Sequence, residues 1–151
     1  MVKLYKLTGT GNHFLLIDLR DKRARKSVKE YFHRLSRKQI ARKLCNPFQS
    51  VGADGLLFLE NSQLADLKWD FYNADGSRAE MCGNAARCVG RYVLSLNKSC
   101  SHFTLETRAG VVGITLPLTK KYNFSDPAVV DIEMPKINIY EPNLTVKVGA
   151  K

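Results

Sequence analysis

The strongest constraint on the fold is a predicted helix near residues 84–97 that carries apolar residues on more than one side. Its helix formers and apolar residues are Ala85, Ala86, Val89, Val93, Leu94 and Leu96. A helix with a single apolar stripe packs on one surface, whereas a helix that is apolar on several sides has to be enclosed. The sequence therefore predicts that this helix lies at the centre of the fold.

Strand-like segments precede and follow this helix. Leu67, Trp69 and Phe71 alternate with polar residues, which is typical of a half-buried strand. The full set of strand-like segments runs roughly over residues 2–8, 13–19, 56–60, 67–72, 102–107 and 110–116. Residues 119–151 contain several prolines and predict one or two strands plus extended connections. The 151 residues are enough for one domain with a real core.

The turn before the central helix places a thiol beside free backbone N–H groups. Residues 73–88 read NADGSRAEMCGNAARC, so a run of turn formers leads to Cys82 and Gly83. The first N–H groups of a helix have no partner within the helix, and the helix dipole adds positive charge there. A carboxylate can therefore dock at residues 83–85, and the same field favours the thiolate of Cys82. A buried structural cysteine beside a helix cap is the alternative.

Three ordered segments resemble the diaminopimelate epimerase family. They are NADGSRAEMCGNAARC, the opening KLTGTGNHFLLID at residues 6–18, and SVGADGLLFL at residues 50–59. The stretch FTLETRAGVVGITL at residues 103–116 is similar to the hairpin that follows the family's helix. The resemblance implies an α+β lobe in which a curved, antiparallel or mixed, barrel-like sheet wraps around the central helix.

The same resemblance implies that residues 1–151 form a single N-terminal lobe. The family is built from two similar lobes with the substrate between them, and its second catalytic cysteine lies in an ACGTGA-like motif of the second lobe. No such motif occurs in these 151 residues. We therefore expect half of the family's active site in this chain.

The function implied is the cofactor-independent interconversion of LL- and meso-diaminopimelate, in the biosynthesis of lysine and of peptidoglycan precursors. In this family one cysteine thiolate removes the α-proton and a second cysteine thiol returns a proton to the opposite face, without pyridoxal phosphate or metal. By resemblance, Cys82 is one acid–base residue, and Gly83 and Asn84 bind the α-carboxylate. Asn12 and Asn73 match positions whose side chains contact the substrate.

The positions that depart from the family's usual pattern include His13 and Gly55. His13 replaces an aspartate, and we interpret it as a structural variation rather than as an added catalytic base. One branch of the family carries a substrate-contacting glutamine at the position of Gly55. Because glycine has no side chain, that role is not assigned to Gly55.

The net charge of +10 is concentrated in residues 20–43, which hold eleven Lys or Arg and only two acids. This segment predicts a helix near residues 28–44, with capping boxes formed by Ser27 with Glu30 and by Ser36 with Gln39. Its apolar face consists of Val28, Phe32, Leu35, Ile40 and Leu44. We interpret the basic residues as a solvated face, and a weak attraction for nucleic acid or another anion as the alternative. No nucleic-acid motif accompanies them.

The sequence predicts a cytoplasmic protein with reduced cysteines. It contains no apolar run of transmembrane length and no signal-peptide core after Met1, so we expect no membrane partner. The four cysteines include no C-x-x-C pair, so no metal site is predicted.

Two alternatives to a diaminopimelate epimerase remain open. One is a racemase of another amino acid that uses the same mechanism. The other is a catalytically incomplete fragment or binding lobe that pairs with a second lobe on another chain, or with a copy of itself. In the enzyme hypotheses the partner is a small-molecule amino acid.

Overall fold

The computed structural model describes residues 1–97, 99–116, 129–134 and 145. These residues form seven β-strands and three α-helices. The strands are β1 (Tyr5–Gly9), β2 (Asn12–Asp18), β3 (Gly55–Glu60), β4 (Leu67–Asn73), β5 (His102–Thr107), β6 (Gly110–Thr115) and β7 (Asp131–Glu133). The helices are α1 (Lys22–Tyr31), α2 (Arg37–Cys45) and α3 (Gly83–Leu96). Most of the predicted extended tail after residue 119 lies outside the described residues; within it the structure describes β7.

The described strands make one mixed sheet in which the spatial order is the order of the chain, β1 to β7. Strands β2 and β3 run parallel, as do β4 and β5, and the other neighbours are antiparallel. The β4–β5 ladder is short, with Leu67 opposite Leu105 and Lys68 opposite Glu106. The sheet is therefore mixed, as expected.

Helix α3 lies against the inner face of this sheet and contacts strands at both of its edges. It contacts β1 and β2 at one edge and β6 and β7 at the other. A single helix can reach both edges only if the sheet curls around it. Its buried residues are Ala85, Ala86, Cys88, Val89, Gly90, Tyr92, Val93 and Leu94. The prediction of an enclosed central helix is confirmed.

The outer face of β2, β3 and β4 is covered by α1 and α2. On this side of the sheet, Phe32 and Ile40 pack with Leu15, Ile17 and Phe58 of the strands and form an apolar core that is separate from the one around α3. An ionic cluster holds α2 at its start. The Arg37 guanidinium donates to both carboxylate oxygens of Glu60, at 2.6 and 2.8 Å, and to Asp70 at 2.9 Å.

The single helix predicted near residues 28–44 is two helices, and this boundary was wrong. Helix α1 begins earlier, because the Asp21 carboxylate accepts from the backbone N–H of Arg23 at 2.7 Å and caps the helix there. Ser27 consequently lies inside α1, and its predicted capping box does not form. The second capping box is confirmed, and Ser36 and Gln39 start α2 with both of its reciprocal bonds.

The basic residues of this segment are mainly solvent-exposed. The half-buried exceptions are Arg20, which pairs with Asp18 at 2.6 Å, and Arg37. Helix α1 has no buried residue. Within the described ranges, no helix is both long and apolar enough to cross a membrane.

Candidate active site

The start of α3 is open to an external anion. Cys82 is the N-cap residue with an extended backbone, φ −151° and ψ 116°, and its carbonyl accepts the N–H of Ala86 at 2.9 Å. Among the described residues, no side chain caps this helix, and its first turn contains no acid. The first N–H groups of α3 and the positive end of its dipole are therefore left for a ligand. The half-buried Cys82 lies directly beside them.

Gly83 leaves free space at this helix start. A Cβ built on Gly83 would have one atom within 4 Å, Nη1 of Arg87 at 3.7 Å. A ligand can thus approach the backbone closely, and a guanidinium lies next to that approach. Carboxylate binding by Gly83 and Asn84 stays a prediction, and this open approach to the backbone is compatible with it.

The ends of four strands meet at the same end of the sheet as the start of α3. Gly9 ends β1 opposite Asn12, and Asn73 ends β4 opposite Gly55. A Cβ on Gly9 would lie 2.8 Å from the backbone oxygen of Asn84, so only glycine allows β1 and α3 to be this close. The strand register and this contact bring the predicted site residues to one region of the molecule.

Asn12 and Asn84 are in direct contact. Nδ2 of Asn84 donates to Oδ1 of Asn12 at 2.6 Å, and Arg87 donates to Oδ1 of Asn84. With Cys82 and Gly83, four of the five predicted site residues are therefore neighbours. Arg87 also belongs to this cluster, although the sequence motif did not assign it a role. Its position one turn after Gly83 on the same helix was the available signal.

Asp54 is a second residue that sequence reasoning missed. Its carboxylate accepts from the backbone N–H of His13 at 2.7 Å and from Nδ2 of Asn12 at 3.4 Å. Its own N–H donates to the carbonyl of His13 at 2.8 Å, and its carbonyl accepts the N–H of Ala74 at 2.9 Å. Asp54 therefore joins the start of β2 to the turn after β4. It lies in the SVGADGLLFL segment, whose resemblance to the family was noted as a whole, without a role for Asp54.

Asn73 lies at the same end of the sheet, but two strands away from Asn12. With β3 between them, the separation is about 10 Å. The Asn73 side chain donates to Oγ of Ser77 at 3.0 Å, and its backbone closes the turn through Ser77 and Gly76. Gly76 has φ 80° there, a conformation that favours glycine. The structure thus places Asn73 on a defined turn beside the cluster rather than in contact with Asn12.

The buried cysteines differ from Cys82 in their surroundings. Cys88 is 2% exposed, and burial raises the pKa of its thiol to about 11. Burial likewise raises the pKa of Cys45 to about 11. Both are neutral thiols near pH 7. Cys100 is half-buried and follows the far end of α3.

The two departures from the family pattern have structural explanations. A Cβ on Gly55 would lie 2.5 Å from the Phe71 ring and 2.9 Å from the carbonyl of Tyr72, so no glutamine side chain fits there. His13 is exposed, and Nδ1 of its ring lies 3.0 Å from Oγ1 of Thr8. Its backbone, rather than its ring, connects it to the site through Asp54.

Comparison with known proteins identifies the family. The family model described as diaminopimelate epimerase matches residues 4–129. The chain belongs to the diaminopimelate epimerase family. Diaminopimelate epimerase of Aquifex aeolicus is 40% identical over 113 residues, which are 74% of this chain and 40% of that protein. The protein of the same name from Hydrogenobaculum sp. is 33% identical over 144 residues, 94% of this chain and 48% of that protein. The chain thus spans less than half the length of these family members.

Solved structures show the same fold at low sequence identity. A probable proline racemase from Agrobacterium radiobacter gives a TM-score of 0.58 at 18% identity, with 80% of this chain and 38% of that chain covered. A hydroxyproline epimerase from Agrobacterium vitis gives a TM-score of 0.57 at 16% identity, with 78% and 37% covered. These likenesses confirm the predicted α+β architecture, a curled mixed sheet forming a half-barrel, for this family member.

Proposed function

We propose that this chain provides one half of the active site of a cofactor-independent amino-acid epimerase that interconverts LL- and meso-diaminopimelate. The observation that carries the proposal is the position of Cys82 at the uncapped start of α3. The Asn12–Asn84 amide pair lies beside it. The name shared by the family's curated members supports diaminopimelate as the substrate.

In the proposed mechanism, the α-carboxylate of the substrate accepts hydrogen bonds from the N–H groups of Gly83 and Asn84. The Cys82 thiolate takes the α-proton onto its sulfur, and the electron pair left on the α-carbon spreads into the carboxylate. The helix N–H groups stabilise this negative charge more strongly than they stabilise the substrate. A thiol on the opposite face then returns a proton to carbon, which inverts the centre. In the reverse direction Cys82 is the donor.

The second thiol would come from a second lobe, so residues 1–151 act as the N-terminal lobe in this proposal. The side chains of Asn12 and Asn73 would contact the substrate from this half. A copy of the same chain is the alternative source of the opposite face. We place the reaction in the cytoplasm, in lysine and peptidoglycan-precursor synthesis, where reducing conditions keep Cys82 a thiol.

The test is α-proton exchange of diaminopimelate in D2O, followed by NMR under reducing conditions. The chain is assayed alone and then together with a separately expressed second lobe from a family member. Cys82→Ser should reduce exchange by about 10²–10⁴-fold, the usual contribution of a positioned acid–base group. Cys100→Ser is the matched control, because Cys100 is also half-buried but lies beyond the far end of α3. Exchange that survives Cys82→Ser, or that never occurs in either assay, contradicts the proposal.

A racemase of another amino acid is the second candidate. Cys82, Gly83 and Asn84 address the α-proton and the α-carboxylate, which every amino acid carries. The described half of the site therefore does not select a side chain. Exchange measured across a panel of amino acids separates the two candidates, since the proposed epimerase should prefer diaminopimelate.

A further inference from the structure

A chain of hydrogen bonds runs from a cation to an anion through the two candidate substrate-binding amides. Arg87 donates through Nη2 to Oδ1 of Asn84, and Nδ2 of Asn84 donates to Oδ1 of Asn12 at 2.6 Å. Nδ2 of Asn12 in turn donates to Oδ2 of Asp54 at 3.4 Å. We call these four residues, Arg87, Asn84, Asn12 and Asp54, the amide relay.

The two ends of the amide relay fix its polarity independently. A guanidinium has only donors, so the Asn84 atom that faces Arg87 must be its oxygen. An ionised carboxylate has only acceptors, so the Asn12 atom that faces Asp54 must be its nitrogen. Both conditions require that the Asn84 nitrogen donates to the Asn12 oxygen. Reversing either amide would set two donors or two acceptors against each other.

Both ends of the relay are themselves anchored. Arg87 also donates to Oγ1 of Thr10 at 3.1 Å, in the turn between β1 and β2. Asp54 also accepts the backbone N–H of His13 at 2.7 Å. Hydrogen bonds with a charged partner are stronger than neutral ones, and bonds in a chain polarise each other. The two asparagines are therefore held by charges that lie on different elements of the fold.

This polarity determines what the two amides can offer to a ligand. The oxygen of each carboxamide already accepts a bond inside the relay, whereas each NH2 group uses one of its two hydrogens there. One N–H of Asn12 and one N–H of Asn84 remain for a ligand, and each oxygen keeps its second lone pair. Together with the N–H groups at the start of α3 and the Arg87 guanidinium near Gly83, this region presents more donors than acceptors, which suits a carboxylate.

We propose that Arg87 and Asp54 are positioning residues that lock Asn12 and Asn84 in the orientation that presents N–H donors to the α-carboxylate of the substrate. The identity of the ligand rests on the proposed function. The locking of the two amides does not, because it follows from the contacts within this chain.

The experiment observes the side-chain amide resonances of Asn12 and Asn84 by NMR in the ¹⁵N-labelled chain. Arg87→Met removes the donor end and Asp54→Ala removes the acceptor end. Each change should shift the amide resonances of both asparagines, including the one that the mutated residue does not touch. Arg108→Met, in the exposed β5–β6 turn, is the control and should shift neither. Shifts confined to the directly bonded asparagine would overturn the relay.

Conservative variants separate positioning from a loss of folding. Lysine keeps a cationic donor and asparagine keeps an acceptor, so Arg87→Lys and Asp54→Asn should move the resonances back toward their original positions. Backbone spectra report in parallel whether each variant is folded. If both conservative variants fold and shift the amides as far as Arg87→Met and Asp54→Ala do, charge and donor pattern are not what orients them, and the inference fails.

A binding measurement then tests the purpose of the relay. Diaminopimelate should bind at least about tenfold more weakly to Arg87→Met and to Asp54→Ala, and Arg108→Met should bind it normally. Coupled amide shifts with unchanged binding would overturn the role in carboxylate recognition. If the unmutated chain binds no diaminopimelate, alone or with a second lobe, the proposed function fails, and the resonances alone decide whether Arg87 and Asp54 orient the amides.

Discussion

Replacing Gly83 by alanine adds a methyl group at the first residue of α3 and tests the carboxylate site directly. The nearest atom to that methyl would be Nη1 of Arg87 at 3.7 Å, an ordinary contact, and Gly83 has no positive φ. The fold should therefore accept the change. Alanine is favoured over glycine in helices by up to about 1 kcal/mol, and at a first turn we expect about half of that as added stability.

The same methyl group should interfere with binding. It would project into the open space where the α-carboxylate is proposed to meet the helix N–H groups. A carboxylate displaced by a methyl radius loses hydrogen bonds to charged groups that are worth about 1.5–3 kcal/mol each. We therefore expect diaminopimelate to bind to Gly83→Ala at least about tenfold more weakly than to the unmutated chain, although the variant is slightly more stable.

Gly9→Ala is the matched comparison on the facing strand. Its Cβ would lie 2.8 Å from the backbone oxygen of Asn84 and 2.9 Å from Sγ of Cys88. A backbone atom cannot move aside as a flexible side chain can, so overpacking should cost about 1–3 kcal/mol. Urea unfolding at 25 °C gives both stabilities, and NMR titration with diaminopimelate gives binding. A Gly83→Ala variant that is stable and binds normally would refute carboxylate docking at Gly83, and a stable Gly9→Ala would refute the close contact of β1 with α3.

Two further predictions concern stability. Burial raises the pKa of the Cys88 thiol to about 11, so between about pH 9 and about pH 11 the unfolded chain loses this proton while the folded chain keeps it. Stability should be full below about pH 9 and fall by up to about 3 kcal/mol across that window, and urea unfolding of Cys88→Ala should lack this part of the pH dependence; equal slopes in both proteins would contradict the assignment. Ser36→Ala removes the capping box of α2 and should cost about 1 kcal/mol, whereas Ser27→Ala, inside α1, should change unfolding by less than about 0.5 kcal/mol. Similar losses for the two serines would count against the helix boundary.

The local features of this fold could be read from the sequence. The alternation at Leu67, Trp69 and Phe71 predicted β4, and the apolar residues after Gly83 predicted an enclosed α3. Both patterns report which faces are buried, and burial follows from local periodicity. The placement of Cys82 at the start of α3 was predictable for the same reason, since it depends on neighbouring residues only.

The boundary between α1 and α2 was misread although its signal was present. Two candidate capping boxes within one predicted helix cannot both be helix starts unless the helix is divided. Asp21 caps α1 by accepting the backbone N–H of Arg23, which leaves Ser27 in the helix interior. Propensity alone ranks such competing caps poorly, because tertiary context routinely overrides it.

The amide relay could not be predicted, because its members are far apart in the chain. Asn84 meets Asn12, and Arg87 meets Thr10, only once α3 lies across the end of β1 and β2. Asp54 reaches them because β3 lies beside β2 in parallel register, with Phe14 opposite Gly55. No local pattern encodes a contact that is made by strand order. The same holds for Asn73 and Asn12. The sequence gives them only as positions in separate motifs, and the strand order of the sheet sets the distance between them.

The strand order of the sheet has a consequence for synthesis on the ribosome. Each described strand pairs with the one made just before it, so the sheet can grow in the order in which the chain emerges. Strands β1 to β4 are finished before α3 exists, and their inner faces, including Phe14, Leu57 and Phe71, stay uncovered during that interval. At about 5–20 residues per second, the ribosome needs roughly one to five seconds to make the stretch from the end of β4 to the end of α3. During those seconds the nascent chain exposes a sheet with no helix to fill it, which is when a ribosome-associated chaperone would have most to bind.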